Sequence, residues 1–502
     1  MSMLETFKRM SGHIYLDGEL RMGAGTKGYE SIDPATEETN GEITFTSVSE
    51  VDEAVAIAKK AQLEWSHMSA LERAGHLHEV ARRLTGHIPK MAEAATREMG
   101  KPHKESEDEA SWTATAFDYY AEVARHEAGR VVGPLVGSDF NVVTKHPLGV
   151  VGLITPFNFP FVLFAWEAGA ALGAGNAVIL KPSEHTTMSS LIMMECFDHL
   201  PRGLVQCIPG GIETGQALVG HPNVDCVGFT GSVAGGQAVA KTCAETFKRV
   251  LIEASGNDPF LVMPSADLSA ATQAAVFASY ANCGQVCTSA ERLYVHDAIH
   301  DEFVDGVTKL ASGLRIGNGL DKVDMGPMVS ARERERYEGV LARALEQGAT
   351  LAHGGGRPEG FNRGYFCDAT ILTGCTPDMD IMNNESFGPV MPISRVGSFD
   401  EALARANDSK YGLGSTVFTN DLAETMRAME EIEAGMTWIN SAALLDSDSL
   451  PFGGRKMSGT GRQLGSEGLD QFRHSKSTII DHTNEPADFW WFPYKDEQAY
   501  RG

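Results

Sequence analysis

A chain of 502 residues is long enough for two or three hydrophobic cores rather than one. Its 42% hydrophobic and 22% charged residues describe an ordinary soluble globular protein. An excess of 67 acidic over 42 basic side chains, a formal charge of −25, would repel a nucleic-acid backbone and argues against nucleic acid as a partner.

Two early segments, Ser49-Glu50-Val51-Asp52 and Ser69-Ala70-Leu71-Glu72, have capping-box spacing and lead into alanine-rich periodic sequence, so they predict two helices of an outer layer. Arg130 to Thr144 mixes Val and Phe with polar residues, glycines and a proline, and predicts an extended hairpin. From Gly149 onward, short apolar runs alternate with helical stretches: Val150 to Ile154, Ala177 to Leu180, Leu204 to Ile208, Val224 to Phe229 and Val250 to Ile252. Strands buried on both faces with helical crossovers predict a doubly wound parallel sheet of α/β class. Phe159 to Leu180 approaches the length of a membrane span, but Glu167, three glycines and the closing Lys181-Pro182 mark it as buried α/β structure, so no membrane partner is expected. After Ser255-Gly256-Asn257-Asp258-Pro259 the rhythm restarts at Phe260 to Met263, which predicts a second α/β domain. The tail Phe489-Trp490-Trp491-Phe492-Pro493-Tyr494 and the hairpin offer apolar surface that one subunit does not cover. Eight cysteines with no CxxC pair argue against a disulfide framework or a metal site. With no signal-like apolar core ahead of Asp17, they point to a reducing cytoplasm.

Four motifs carry chemistry. Cys287, in Asn282-Cys283-Gly284-Gln285-Val286-Cys287-Thr288, is either a thiolate nucleophile or, like most buried cysteines, a small core hydrophobe. A free thiol has a pKa of about 8.5, so catalysis requires a setting that activates it. Glu253 ends the run Arg249-Val250-Leu251-Ile252, where partial desolvation would raise its pKa toward that of a useful base; the alternative is a solvated strand-end acid. Asn158, in Thr155-Pro156-Phe157-Asn158-Phe159-Pro160, offers an amide donor for an oxyanion or merely bonds its own turn. Gly228-Phe229-Thr230-Gly231-Ser232, after Val224 to Val227, has the features of a strand-to-helix turn facing a phosphate, without being a G-x-G-x-x-G fingerprint. Lys181 and Glu184 end the neighbouring run, where an acid favours a free 2′-hydroxyl and so NAD over NADP; a surface ion pair is the alternative.

Together with Glu385-Ser386-Phe387-Gly388-Pro389 and Pro451-Phe452-Gly453-Gly454, these segments resemble the aldehyde dehydrogenase superfamily in composition and order, over nearly the whole chain. The resemblance implies a dinucleotide-binding domain from 1–127 and 149–254, a catalytic domain at 255–475, and a small β oligomerisation domain from 128–148 and 476–502, assembled as a homodimer or homotetramer. It implies a catalytic set of Cys287, Glu253 and Asn158. The implied cofactor-binding residues are Ile154, Thr155, Pro156, Lys181, Ser183, Glu184, Phe229, Gly231, Ser232, Gly236, Glu385 and Phe387, with NAD as cofactor and NADP as the alternative. Phe159, Leu163, Trp166, Val286, Thr288 and Phe452 match positions lining the family's substrate tunnel. They are mostly apolar with no dedicated arginine, which favours an uncharged aliphatic or aromatic aldehyde.

Two positions depart from the family. Glu167 stands where many members have a lysine, and Gln463 stands where they have a glutamate, so a proton relay here would place its carboxylate on the opposite side. Serine at 255 also replaces a glycine. Three other functions share parts of this pattern: a coenzyme-A-acylating dehydrogenase, a cysteine hydrolase or acyltransferase, and a structural protein that keeps the fold without turnover. The glutamate disfavours the first, the dinucleotide-like segments the second, and the intact Cys287, Glu253 and Asn158 the third.

Overall fold

A computed structural model describes residues 2–126, 128–134, 139–444, 446–483 and 491–493. Five parallel strands form the centre of an eight-stranded sheet: Val150–Ile154, Ala177–Lys181, Val205–Cys207, Cys226–Gly231 and Arg249–Ala254. Their residues are almost all buried, because helices cover both faces and leave no solvent side for polar alternation. The order across the sheet is fifth, fourth, first, second, third, so the winding reverses between Val150–Ile154 and Cys226–Gly231. In an open sheet, that reversal opens a crevice at the carboxyl ends of the strands. The edges are finished antiparallel, by His13–Leu16 with Glu19–Met22 on one side and by Gly459–Thr460 on the other.

A second sheet of seven strands starts at Asp258–Val262 and is mainly parallel, with its own buried core. The strand begins at the Asp-Pro pair, which the sequence marks as a break. Pro259 is accommodated because the register shifts between Asp258 and Pro259, where a ladder donor is not required.

A three-stranded sheet joins Gly129–Val132 and Asp139–Pro147, the two sides of the expected hairpin, to Arg473–Asp481. Val131, Phe140, Ile479 and Ile480 are exposed on it. Of the aromatic tail, Phe489, Trp490 and Tyr494 lie outside the described residues. No described helix is long and apolar enough to cross a membrane.

Two local expectations need correction. The first early helix, Val48–His67, is capped by Ser47 and Glu50 rather than by Ser49 and Asp52. Glu50 reaches back to the Ser47 N–H at 2.8 Å, and Ser49 already lies inside the first turn. The second box, Ser69 with Glu72, is as expected. Gly228 to Gly231 is not a turn but the end of its strand, and the helix starts after Ser232, whose hydroxyl caps Gly235 N–H at 3.2 Å. Gly228 is needed there because a Cβ would collide with the Glu167 carboxyl oxygen.

Candidate active site

Two cavities open along the carboxyl edge of the first sheet. One, of about 290 Å³, is lined by Ile154, Lys181, Glu184 and Phe229 among the expected residues. Gly211, Ile212, Gly215, Val219, Gly235 and Val239 are among the others that line it. Most of these went unnoticed in the sequence, although Pro209-Gly210-Gly211 between a strand and the helix Ile212–Gly220 is a usable signal of close backbone approach. Lys181 is buried and donates to the carbonyls of Pro182 and Gly210 at 2.8 and 2.6 Å. Burial lowers its pKa to about 8, against the pull of Glu184.

The other cavity, of about 340 Å³, is lined by Pro156, Asn158, Gly231, Ser232, Glu253, Cys287, Glu385 and Phe387, all expected, together with Thr230, Ser255, Glu333 and Arg336. Glu333 and Arg336 sit three apart on the helix Ala331–Glu346, whose charge-dense sequence reads as a solvated face and gave no warning of them. Arg336 donates to the carbonyls of Ser386 and Phe387 at 2.8 and 3.2 Å, fixing the segment that carries Phe387. Thr155, Ser183 and Gly236 line neither cavity; Gly236 packs beneath Ile252, and Ser183 caps His185 N–H at 3.3 Å.

Cys287 follows a turn in which Asn282 and Cys283 take left-handed φ values of 50° and 57°, and Gly284 one of 71°. Left-handed non-glycine residues cost on the order of 1–3 kcal/mol each and persist only where the surroundings impose them. The fully buried Gln285 does so, donating to Asn282 O at 3.0 Å and accepting from Val329 N–H at 3.0 Å. Gly256 allows the neighbouring strand end to pass against the Cys287 carbonyl, where a Cβ would collide. Ser255 does not disturb this approach; its carbonyl accepts from Ser458 Oγ at 2.7 Å.

Glu253 is buried, and its strand pairs it in register with Thr230. Burial pushes its pKa up to about 7, opposed in part by the nearby Cys287 thiol and Thr230 hydroxyl. Neither closes a well-formed hydrogen bond, so both carboxyl oxygens lack one. Burial and then the charge of Glu253 push the Cys287 thiol well above its ordinary value. The arrangement thus holds a protonated thiol beside a group that accepts protons near neutrality.

Behind Glu253, Gln463 donates to Thr230 Oγ1 at 3.4 Å and to Glu167 Oε1 at 2.6 Å. Burial raises the Glu167 pKa to about 8, opposed by the Gln463 hydrogen bond and reinforced by the charge of Glu253. The expected relay pair is therefore in contact, and Thr230, the register partner of Glu253, lies beside Gln463.

Phe159 of the tunnel set is partly buried. Leu163, Trp166, Val286, Thr288 and Phe452 are buried and line neither cavity. Trp166 lies between Phe452 and Trp112, with ring centroids 4.8 and 5.1 Å away, and the Trp112 indole donates to Asp448 at 2.9 Å. Trp112 and Asp448 were not singled out from the sequence. Among the described residues, no cluster of His, Cys, Asp or Glu could hold a metal ion.

Comparison with known proteins identifies the family. Residues 21–478 match the model of the aldehyde dehydrogenase family. A peroxisomal aminoaldehyde dehydrogenase 1 of Pisum sativum is 35% identical over 497 residues, covering 97% of this chain and 99% of the relative. A betaine aldehyde dehydrogenase of Bacillus subtilis is 31% identical over 96% of this chain and 100% of its own length. Among solved structures, betaine aldehyde dehydrogenase from Staphylococcus aureus in complex with NAD+ has a TM-score of 0.93 at 30% identity, covering 97% of this chain and 98% of that one. The NAD+ complex of an aldehyde dehydrogenase from Bacillus cereus has a TM-score of 0.92 at 34% identity, covering 95% and 98%. This chain belongs to the aldehyde dehydrogenase family.

Proposed function

We propose that this protein oxidises an aldehyde to a carboxylic acid with NAD, through a covalent thioester on Cys287. The observation that carries the proposal is that Cys287, Glu253 and Asn158 face one cavity at the carboxyl edge of a doubly wound sheet. Glu253 takes the thiol proton, the thiolate attacks the carbonyl carbon, and the oxyanion is held by the Asn158 amide and a backbone N–H.

The two cavities fit a dinucleotide. Glu184 and Lys181 would hold one half, and Gly231, Ser232, Glu385 and Phe387 the other; Ser232 caps helix Val233–Ala244, whose first backbone N–H groups favour phosphate. When bound, NAD supplies the hydride acceptor that turns the adduct into a thioester. Water deprotonated by Glu253 then attacks the acyl carbon, the sulfur leaves, and the thiol is restored.

The acceptor for the proton gained by Glu253 is Glu167, which feels the charge of Glu253 and whose carboxyl Gln463 holds in place. Glu167→Gln is expected to slow thioester hydrolysis about tenfold or more while sparing the first round of NADH formation. Pre-steady-state absorbance separates the two phases, and unchanged hydrolysis would remove the relay.

The substrate reading is an uncharged aliphatic or aromatic aldehyde, supported by the mostly apolar character of Phe159, Leu163, Trp166, Val286, Thr288 and Phe452. Asp448 beside Trp112 favours a second reading, a cationic aldehyde, and relatives named for aminoaldehydes and betaine aldehyde point the same way. NADH production measured across neutral, aromatic, cationic and anionic aldehydes is expected to give the lowest kcat/KM for anions. A clear preference for anions would overturn both readings, and product formed only with coenzyme A would make water the wrong acceptor. The exposed apolar residues on the sheet of Gly129–Val132, Asp139–Pro147 and Arg473–Asp481 support a homodimer or homotetramer. A cytoplasmic location belongs to the same proposal, supported by eight cysteines that are all free.

A further inference from the structure

Lys101 and Glu109 form an ion pair whose side chains are wholly shielded from solvent. Desolvating two charges costs several kcal/mol each, and such a pair is weak evidence of stability alone. Its connections point elsewhere. The second oxygen of Glu109 accepts from Phe161 N–H at 2.7 Å and from Val162 N–H at 3.2 Å. These begin the helix Val162–Ala174, which has no side-chain cap of its own. Lys101 also donates to the Asn158 carbonyl at 2.9 Å, and its ammonium lies 4.3 Å from the centre of the Phe159 ring.

The same carbonyl is held from the other side. Asn282 Nδ2 donates to it at 3.2 Å, and Asn282 N–H donates to Glu105 Oε2 at 3.0 Å. Glu105 lies one turn before Glu109 on the helix His103–His126, so one helix face grips both the Asn158 segment and the turn that leads into Cys287. The Asn158 side-chain amide itself makes no hydrogen bond to any described residue, and Asn158 lines the 340 Å³ cavity. Nothing at its tip fixes its direction.

We infer that Lys101 and Asn282 are positioning residues that, by clamping the Asn158 carbonyl, aim the Asn158 amide at the oxyanion. The inference rests on the proposed role of Asn158. Displacing a catalytic group by about 1 Å can cost about 10²-fold in rate, so a clamp that never touches substrate still governs kcat.

The test is a double variant, Lys101→Met with Glu109→Gln, which removes both charges while Gln keeps an acceptor for Phe161 and Val162. It is expected to lose about 10–100-fold in kcat with KM for NAD unchanged. In an Asn158→Ala background the same pair is expected to cost nothing further, because the amide it aims is gone; a general weakening of the fold would multiply with that variant instead. Asn282→Gly is the second arm, since glycine suits the φ of 50° and the change buries no unpaired charge. It is expected to lose kcat in the same selective way. Wild-type kcat in the folded variants, or losses that multiply with Asn158→Ala, would overturn the clamp. An Asn158→Ala enzyme of undiminished rate would overturn the role of Asn158 and the clamp with it, while a dead Cys287→Ala would leave the covalent mechanism standing.

Discussion

Cys287→Ala is expected to abolish aldehyde-dependent NAD reduction, a fall on the order of 10⁶ in kcat, the scale seen when a covalent nucleophile is removed. Serine at 287 is expected to do little better, because a hydroxyl is far harder to ionise beside Glu253 than a thiol. NAD is expected to raise the melting temperature of both variants and of the wild type alike, since the 290 Å³ cavity is lined by other residues. That control separates a missing nucleophile from a damaged fold. Oxidation that continues undiminished in either variant would remove the proposed chemistry altogether.

Glu253→Gln carries the second large expectation. The steady rate should fall about 10²–10⁴-fold and the first-turnover burst of NADH should slow with it, because thiol deprotonation and hydrolysis both lose their base. Burst and steady phases are read at the absorbance of reduced nicotinamide. A burst that keeps its wild-type rate would show that the thiol is deprotonated without Glu253, leaving Glu253 the base of hydrolysis alone. The pH dependence follows from burial. Glu253 acts only as a carboxylate, and its pKa is pushed up to about 7, so turnover should be lost as pH falls through that value and be complete above it. Glu253→Gln should lack this limb.

Much of the fold could be read in advance because its central strands are buried on both faces and have no polar alternation to confuse their period. Errors came where tertiary contact overrode local pattern. Gly228 and Gly231 look like turn residues, yet Gly228 is a strand residue that yields its space to the Glu167 carboxyl, a neighbour distant in sequence. Ser49 and Ser47 both precede an acid three residues on, and only the backbone start of the helix decides between them. In the site, Cys287, Glu253 and Asn158 stood in segments with distinctive neighbours. Lys101 and Glu109 did not, because an ion pair hidden from solvent and a solvated one have the same spelling. Trp112 and Asp448 are 336 residues apart, and no local period announces their meeting.

The polarity of the first sheet gives its two ends different tolerances for change in length. Glu253 pairs with Thr230 through consecutive register from Cys226 and Arg249, so one residue inserted or deleted inside either strand would turn Glu253 or Thr230 to the opposite face. At the other end the connection through Phe247, 97% exposed, lies before the strand begins and away from both cavities. Natural length variation among homologous chains should therefore collect on that rim and be absent from Cys226–Gly231 and Arg249–Ala254.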